Sequence, residues 1–364
     1  MLTLTACAGG TAVEDVASQQ QGPPVQSMQL LTPTQGWALT DEGLKWTSDG
    51  GLAWVDITPP AVSAAVIKGL FFLDAQRGWT IVPSNVDDRH MEELLVYRTD
   101  DGGKTWQSSP LGAPDGESHG APAYIHFSDA EHGWVVVKLV SSSNFSIGDL
   151  FRTTDGGVTW TKLSIPIGNP VVFTSPSDGW TAGGPAGDKL YVTRDGGASW
   201  EPQAVSPPPG FRSSYPAYEL PVFTAAREGV LPVTFTGPAS GIAFYVTHDG
   251  GRSWTLEGSV VSPQTLSLGL PIPSDVVDFN TWVAVSPDGA RVFTTADGGK
   301  NIQQIAPNGL QAGAVDVDFS TAEIGWALSS SGVCPPGLKT GCVILSQLLK
   351  TTDGGQTWTV LIPQ

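Results

Sequence analysis

Thr99-Asp100-Asp101-Gly102-Gly103-Lys104-Thr105-Trp106 is one copy of a pattern, Thr-x-Asp-Gly-Gly-x-x-Trp, that recurs along this 364-residue chain. Its Asp falls at Asp49, Asp101, Asp155, Asp195, Asp249, Asp297 and Asp353, a spacing of 40 to 56 residues. Six copies are complete and end in Trp54, Trp106, Trp160, Trp200, Trp254 and Trp358; the copy at Asp297 ends in Ile302 instead. Upstream of each box a polar turn leads into Gly-Trp and a short apolar run, as at Gly36-Trp37, Gly78-Trp79, Gly133-Trp134, Gly179-Trp180 and Gly325-Trp326. Thr281-Trp282 and Gly229-Val230 are weakened versions. Of 13 tryptophans, only Trp46 lies outside these two registers. A fixed period of this length marks a repeat architecture.

Each unit reads as four strands. In the second they are expected at 67–73, 79–82, 94–99 and 106–109, with the box as the turn between the third and fourth. The residue types suit that turn. An Asp carboxylate accepts hydrogen bonds from backbone N–H groups, here expected two or three residues on, and locks the chain reversal. Paired glycines supply the positive φ it demands. The closing Trp buries a large apolar face, contributing about 2–3 kcal/mol. One four-stranded unit cannot cover both its faces, whereas about 4–8 arranged radially can. The fold expected is therefore all-β: a seven-bladed β-propeller of four-stranded antiparallel blades over residues 27–364. The complete first and last units predict closure by packing of blade 7 on blade 1, without a shared strand.

Composition agrees. Charged residues are only 15%, while Gly (44) and Pro (29) abound, so short strands and tight turns are expected and almost no helix. The net charge of −17 comes without any Lys/Arg cluster, which excludes nucleic acid as a partner. No apolar run reaches the length of a membrane span.

Leu4-Thr5-Ala6-Cys7 is similar to a bacterial lipobox, in which the Cys becomes acylated. Residues 1–26 are accordingly expected to be a truncated lipoprotein signal remnant and a flexible tether, with Cys7 as the lipid anchor. That places a monomer outside the cytoplasm, anchored on the outer side of a bacterial cytoplasmic membrane. Cys334 and Cys342 bracket a Pro/Gly-rich turn and are expected to form a disulfide there.

The paired Asp-Gly-Gly and Gly-Trp signatures across residues 30–364 resemble the BNR/Asp-box repeats of sialidases, sortilin-type receptors and the photosystem II assembly/stability factor family. They are most like the last group and its bacterial relatives. That resemblance implies a chaperone-like role toward a membrane complex. Those relatives carry an Arg-rich patch, whereas the nine Arg here are spread along the chain. The box itself is a structural device and carries no function.

A binding surface is expected on the face opposite the boxes, where long loops sit on a rigid scaffold. The candidates are Asp87, Asp88, Arg89 and His90 in unit 2, Asn144 in unit 3, Phe211, Arg212, Tyr215 and Tyr218 in the connector from unit 4 to unit 5, and Arg291 in unit 6. Asp87, Asp88, Glu92 and Glu93 are oxygen donors for Ca²⁺, but their spacing is not that of an ion-binding loop, so no metal or cofactor is assigned. His132 and His248 read as surface residues. A sialidase-like hydrolase needs three Arg on the substrate carboxylate and a Tyr nucleophile; Arg89, Arg212 and Arg291 with Tyr215 or Tyr218 are the residues open to that role. Tyr97, Tyr191 and Tyr245 share a repeat register and read as core. The sequence favours a non-catalytic scaffold for a protein or glycan partner, with a sialidase-like glycosidase as the alternative.

Overall fold

A computed structural model describes residues 22–86, 92–262, 271–333 and 343–364. Seven antiparallel sheets follow one another along the chain, each built from consecutive strands. Blade 1 comprises Val25–Leu30, Gly36–Thr40, Leu44–Thr47 and Val55–Asp56; blade 2 comprises Gly69–Phe72, Gly78–Val86, Glu92–Thr99 and Gln107–Gly112. The pattern repeats to blade 7, which ends in Thr359–Leu361. Among the described residues, the helical content is two single 3₁₀ turns, Ala64–Val66 and Pro209–Phe211.

Blade 5 departs from the pattern. Its innermost strand is split into Tyr215–Tyr218 and Val222–Phe223, both paired with Gly229–Thr236. The break falls at Pro221, which has no N–H to give a ladder.

The box turn is a closed hydrogen-bond circuit that reaches one residue further than expected. Asp Oδ1 accepts from the N–H four residues on in all seven blades, at 2.9 Å from Ala53 through Thr357. In three blades the same oxygen also takes the expected N–H three residues on, from Leu52 and Val158 at 3.0 Å and from Arg252 at 2.9 Å. The preceding Thr donates its hydroxyl to the same oxygen and accepts from the second Gly, as Thr47 does at 2.9 Å each. In six blades the side chain four residues on also donates to Oδ2, as Thr105 does to Asp101 at 2.6 Å. These donors favour the ionised form, and Asp101 is held at about 2, first by the Thr105 hydroxyl.

The first Gly of every box donates its N–H to the carbonyl of the turn between strands one and two, from Gly50 to Thr34 at 2.8 Å through Gly354 to Glu323 at 2.9 Å. Boxes and Gly-Trp turns therefore share one face of the disc.

The core lies between blades. Seven clusters of buried side chains each straddle two neighbouring blades, including one in which Val25, Met28, Leu30 and Ala38 meet Trp326, Leu328 and Leu348. Blade 7 thus closes on blade 1 by packing, with no shared strand. The Gly-Trp indoles are the deepest side chains: Trp134, Trp180 and Trp326 have no exposed surface. Trp79 stacks on Phe127 and Trp134 on Phe173, each with ring centroids 3.6 Å apart. The box tryptophans are less deeply set; Trp54, Trp106, Trp160, Trp200 and Trp254 are half-buried.

Candidate functional site

Because the strands alternate in direction, the loops between second and third strands and the connectors between blades lie on the face away from the boxes. The candidate residues divide there. Asn144 is exposed in the blade 3 loop, beside Phe145, which is 65% exposed. Arg212 is exposed in the connector to blade 5 and Tyr215 at the start of that blade's innermost strand, and Arg291 is partly exposed in the blade 6 turn, where its N–H donates to Ser286 Oγ at 2.9 Å.

Two candidates are corrected by the structure. Phe211 is 1% exposed and stacks on Phe235 at 5.2 Å, because the 3₁₀ turn Pro209–Phe211 directs its ring into the interface of blades 4 and 5. Tyr218 belongs to the same cluster, and its hydroxyl accepts the N–H of Val205 at 3.3 Å. Both are core. Asp87, Asp88, Arg89 and His90 lie outside the described residues, as do Cys7, Cys334 and Cys342.

The loop face holds an open recess of about 460 Å³ between blades 2, 3 and 4, lined by His119, Lys138, Val140, Ser142, Phe145 and Pro185. Its floor is braced by a buried ion pair. Glu92, 1% exposed in its side chain, meets Lys68 Nζ at 2.6 Å and His119 Nδ1 at 3.0 Å. Lys68 also donates to the carbonyls of Ser118 and Ala121, both at 2.8 Å. Each charged atom is matched, which is what a buried pair requires. Glu92, one of the oxygen donors weighed for Ca²⁺, is thus occupied by a lysine. Among the described residues no three His, Cys, Asp or Glu side chains could hold a metal ion. The sequence signal was slight: Lys68 is a solitary charge in the apolar stretch 67–73.

The central channel carries a feature that the repeat pattern did not reveal. The wall from blades 1 to 4 includes Leu70, Tyr124, Ile125 and Val171, which border a recess of about 470 Å³ with Leu220. On blades 5 to 7 the innermost segments present Glu219, Asp275, Asp316 and Asp318. Asp275 Oδ2 accepts the N–H of Phe319 at 2.6 Å, and Asp318 Oδ2 accepts the N–H of Leu30 at 2.8 Å. Each satisfies the free edge of the next blade's innermost strand. Burial pushes Glu219 up to about 8 and Asp275 up to about 6. Asp316 is raised to about 7, first by the surrounding protein and also by the charge of Asp275, with the Val317 N–H opposing the rise. His126, enclosed on blade 3 with Nε2 3.0 Å from the Phe173 carbonyl, is driven down to about 4 by burial.

Seven four-stranded blades, each pinned by a Thr-Asp-Gly-Gly turn, define this chain as a BNR/Asp-box repeat β-propeller. The BNR/Asp-box repeat family pattern matches residues 97–108, within blade 2. The chain is similar to the photosystem II assembly lipoprotein Ycf48 of Synechococcus sp. (strain CC9902). They are 25% identical over 272 residues, which cover 72% of this chain and 68% of that protein. Among solved structures, Ycf48 bound to a D1 peptide superposes with a TM-score of 0.53 at 17% identity, covering 84% of this chain and 88% of that one. The GH74 xyloglucanase of Xanthomonas campestris gives 0.58 at 13% identity, covering 93% and 68%. At these identities the structural likenesses show the fold alone.

Proposed function

We propose that this chain is a non-catalytic binding propeller that holds a protein partner in the manner of an assembly factor. The observation that carries this reading is the similarity to an assembly lipoprotein over 272 residues, spanning most of the ring. The fold neighbour captured with a D1 peptide is a propeller of this build that takes a protein segment as its ligand. The loop face supports the same use. It offers an open recess with an exposed Phe145 and a Lys138 that forms no ion pair among the described residues. Aromatic and cationic anchors of this kind dominate the energetics of protein interfaces.

The same reading includes export. Cys7 is the lipid attachment point and the segment between it and the first strand, Val25–Leu30, is the tether; the lipoprotein relative and the lipobox-like Leu4-Thr5-Ala6-Cys7 support it. Metabolic labelling with an alkyne fatty acid should mark the wild-type protein and not Cys7→Ala.

The decisive experiment is cross-linked pull-down of the tagged protein from native envelope membranes, followed by mass spectrometry. A defined protein partner, lost in Lys138→Glu/Phe145→Ser, is the expected result. Turnover of xyloglucan, a sialoside or another glycan by the purified protein would overturn the reading in favour of a glycoside hydrolase.

A further inference from the structure

The outermost strand of each blade pairs on one side only, so its other edge carries backbone N–H and C=O groups that no strand of the ring answers. Such an edge recruits foreign strands, and proteins blunt it by keeping it short or by placing Lys or Pro in it. Six of the seven edges here are blunted in this way. Blade 1 ends in the two residues Val55–Asp56. Blades 3, 4, 6 and 7 end in three residues each, Thr161–Leu163, Glu201–Gln203, Gln303–Ile305 and Thr359–Leu361, and the first two of these hold Lys162 and Pro202. Blade 2 has a six-residue edge, Gln107–Gly112, interrupted by Pro110. Blade 5 is the exception. Its outer strand, Thr255–Ser262, runs for eight residues without Pro, Lys or Arg. A bulge at Glu257 divides it, and beyond the bulge Gly258 to Ser262 pair residue for residue with Phe244 to Ser240. Among the described residues, no backbone group outside that pairing bonds to residues 258–261.

We infer that the edge of blade 5 at residues 258–261 is a second docking surface, which takes an extended segment of a protein partner as a further strand of that blade. The inference rests on the binding-scaffold reading above for the nature of the ligand, and it adds a site away from the recess between blades 2, 3 and 4. Backbone chemistry fixes the conformation of the occupant: only an extended chain answers a row of N–H and C=O groups at strand spacing. Side chains fix its composition. Val260 is turned toward blade 6 and packs there, whereas Leu256, Ser259 and Val261 stand opposite Tyr245, Ala243 and Gly241 on the blade 4 side. Val261 is 62% exposed and Leu256 36%, so an apolar, β-branched residue of the added strand covers surface that the ring leaves in water. Glu257, exposed at the bulge, selects a lysine or arginine beside it. A second copy of this chain is the poorer occupant, because each copy carries a net charge of −17 and the two repel.

The test uses the full chain and a short fluorescein-labelled peptide that alternates valine with threonine and carries one lysine. Its analogue, N-methylated at two adjacent central residues, keeps the side chains and closes both of its own edges. By fluorescence anisotropy the first peptide should bind and the second should not. Hydrogen exchange at the amides of residues 258–261 should slow when the first peptide is bound. Ser259→Lys/Val261→Lys should weaken binding by about tenfold or more, while Thr161→Lys, on the exposed outer strand of blade 3, should leave it unchanged. Thermal melts report whether the variants fold. Equal binding of both peptides, binding of neither, or unaltered exchange at residues 258–261 would overturn the site, and an equal loss in Thr161→Lys would reduce it to diffuse attraction. A dimer in sedimentation that Ser259→Lys/Val261→Lys dissociates would overturn the assignment as well, because the occupant would then be a second copy. If the envelope partner is still captured by Ser259→Lys/Val261→Lys, the edge assignment falls and the binding-scaffold reading stands. If wild-type protein captures no partner, both fall.

Discussion

The indole Nε1 of Trp79, in blade 2, donates to the carbonyl of Gly156, the first box glycine of blade 3, at 2.9 Å. Trp134 repeats the bond to Gly196 of blade 4 at 3.1 Å. Where the ring closes, Lys350 Nζ takes over by donating to the Gly50 carbonyl at 2.6 Å, and the Nε1 of buried Trp326 is left without a partner. Between blades 4 and 5, Arg194 performs the same task on the Gly250 carbonyl at 3.0 Å. At four of the seven interfaces, different side chains thus do the same work: a donor from one blade bonds the first box glycine carbonyl of the next.

Trp79→Phe keeps most of the buried ring and deletes the donor. It should destabilise the protein by about 1–2 kcal/mol, whereas Trp79→Ala should cost about 3–5 kcal/mol. Urea unfolding followed by fluorescence measures both; an unchanged stability of Trp79→Phe would show that the Gly156 bond contributes nothing.

The box carboxylates predict the acid limit of the fold. Asp101 is depressed from an ordinary 3.8 to about 2, first by the Thr105 hydroxyl and then by the Thr105 N–H. Its contribution is present above the unfolded value and is lost as pH falls through the folded one. Asp101→Asn should therefore lower the melting temperature by a few degrees at pH 7, with the difference from wild type shrinking between about pH 4 and pH 2. A constant difference across that window would remove the charge from the explanation.

The channel predicts the opposite slope. Glu219 is raised from 4.5 to about 8, so the folded state prefers its protonated form. Stability is undiminished below about pH 4.5 and falls as pH rises toward 8. Glu219→Gln should match wild type near pH 4.5 and exceed it at pH 8, removing only its own share of the alkaline loss, because Asp275, Asp316 and Asp318 retain theirs. Calorimetric melts at the two pH values decide it.

Lys68→Met leaves Glu92 buried without its counter-charge and should cost about 3–5 kcal/mol. Lys68→Met/Glu92→Gln should recover much of that loss, since a buried pair is worth far less than the penalty of breaking it. Chemical denaturation of the four proteins of the cycle gives the coupling directly. Additive losses would dissolve the pair as a unit.

The ring, its blade count and the identity of the locking residues are written in the sequence, because each is a local requirement repeated seven times. A turn that needs positive φ needs glycine, and an orphaned cluster of N–H groups needs a carboxylate close in the chain, so residues 47–54 or 99–106 declare their structure unaided. The depth ranking of the tryptophans is not local. Trp79 and Trp106 look alike in sequence, yet one is sandwiched between blades and the other is half-covered at the turn. The loop-face candidates fared less well for a related reason. Phe211 and Tyr218 sit in a proline-rich connector that reads as solvated, and only the packing of blade 5 on blade 4 draws them inside. The Glu92–Lys68 pair and the carboxylates of Glu219, Asp275, Asp316 and Asp318 were decided by tertiary structure alone. Apart from Asp316 and Asp318, which share one strand, their members stand 24 to 99 residues apart, so no spacing rule joins them. Curling the chain into a closed ring brings the innermost segments of blades 5, 6 and 7 side by side, and electrostatics acts through that shared space, blind to the order of the chain.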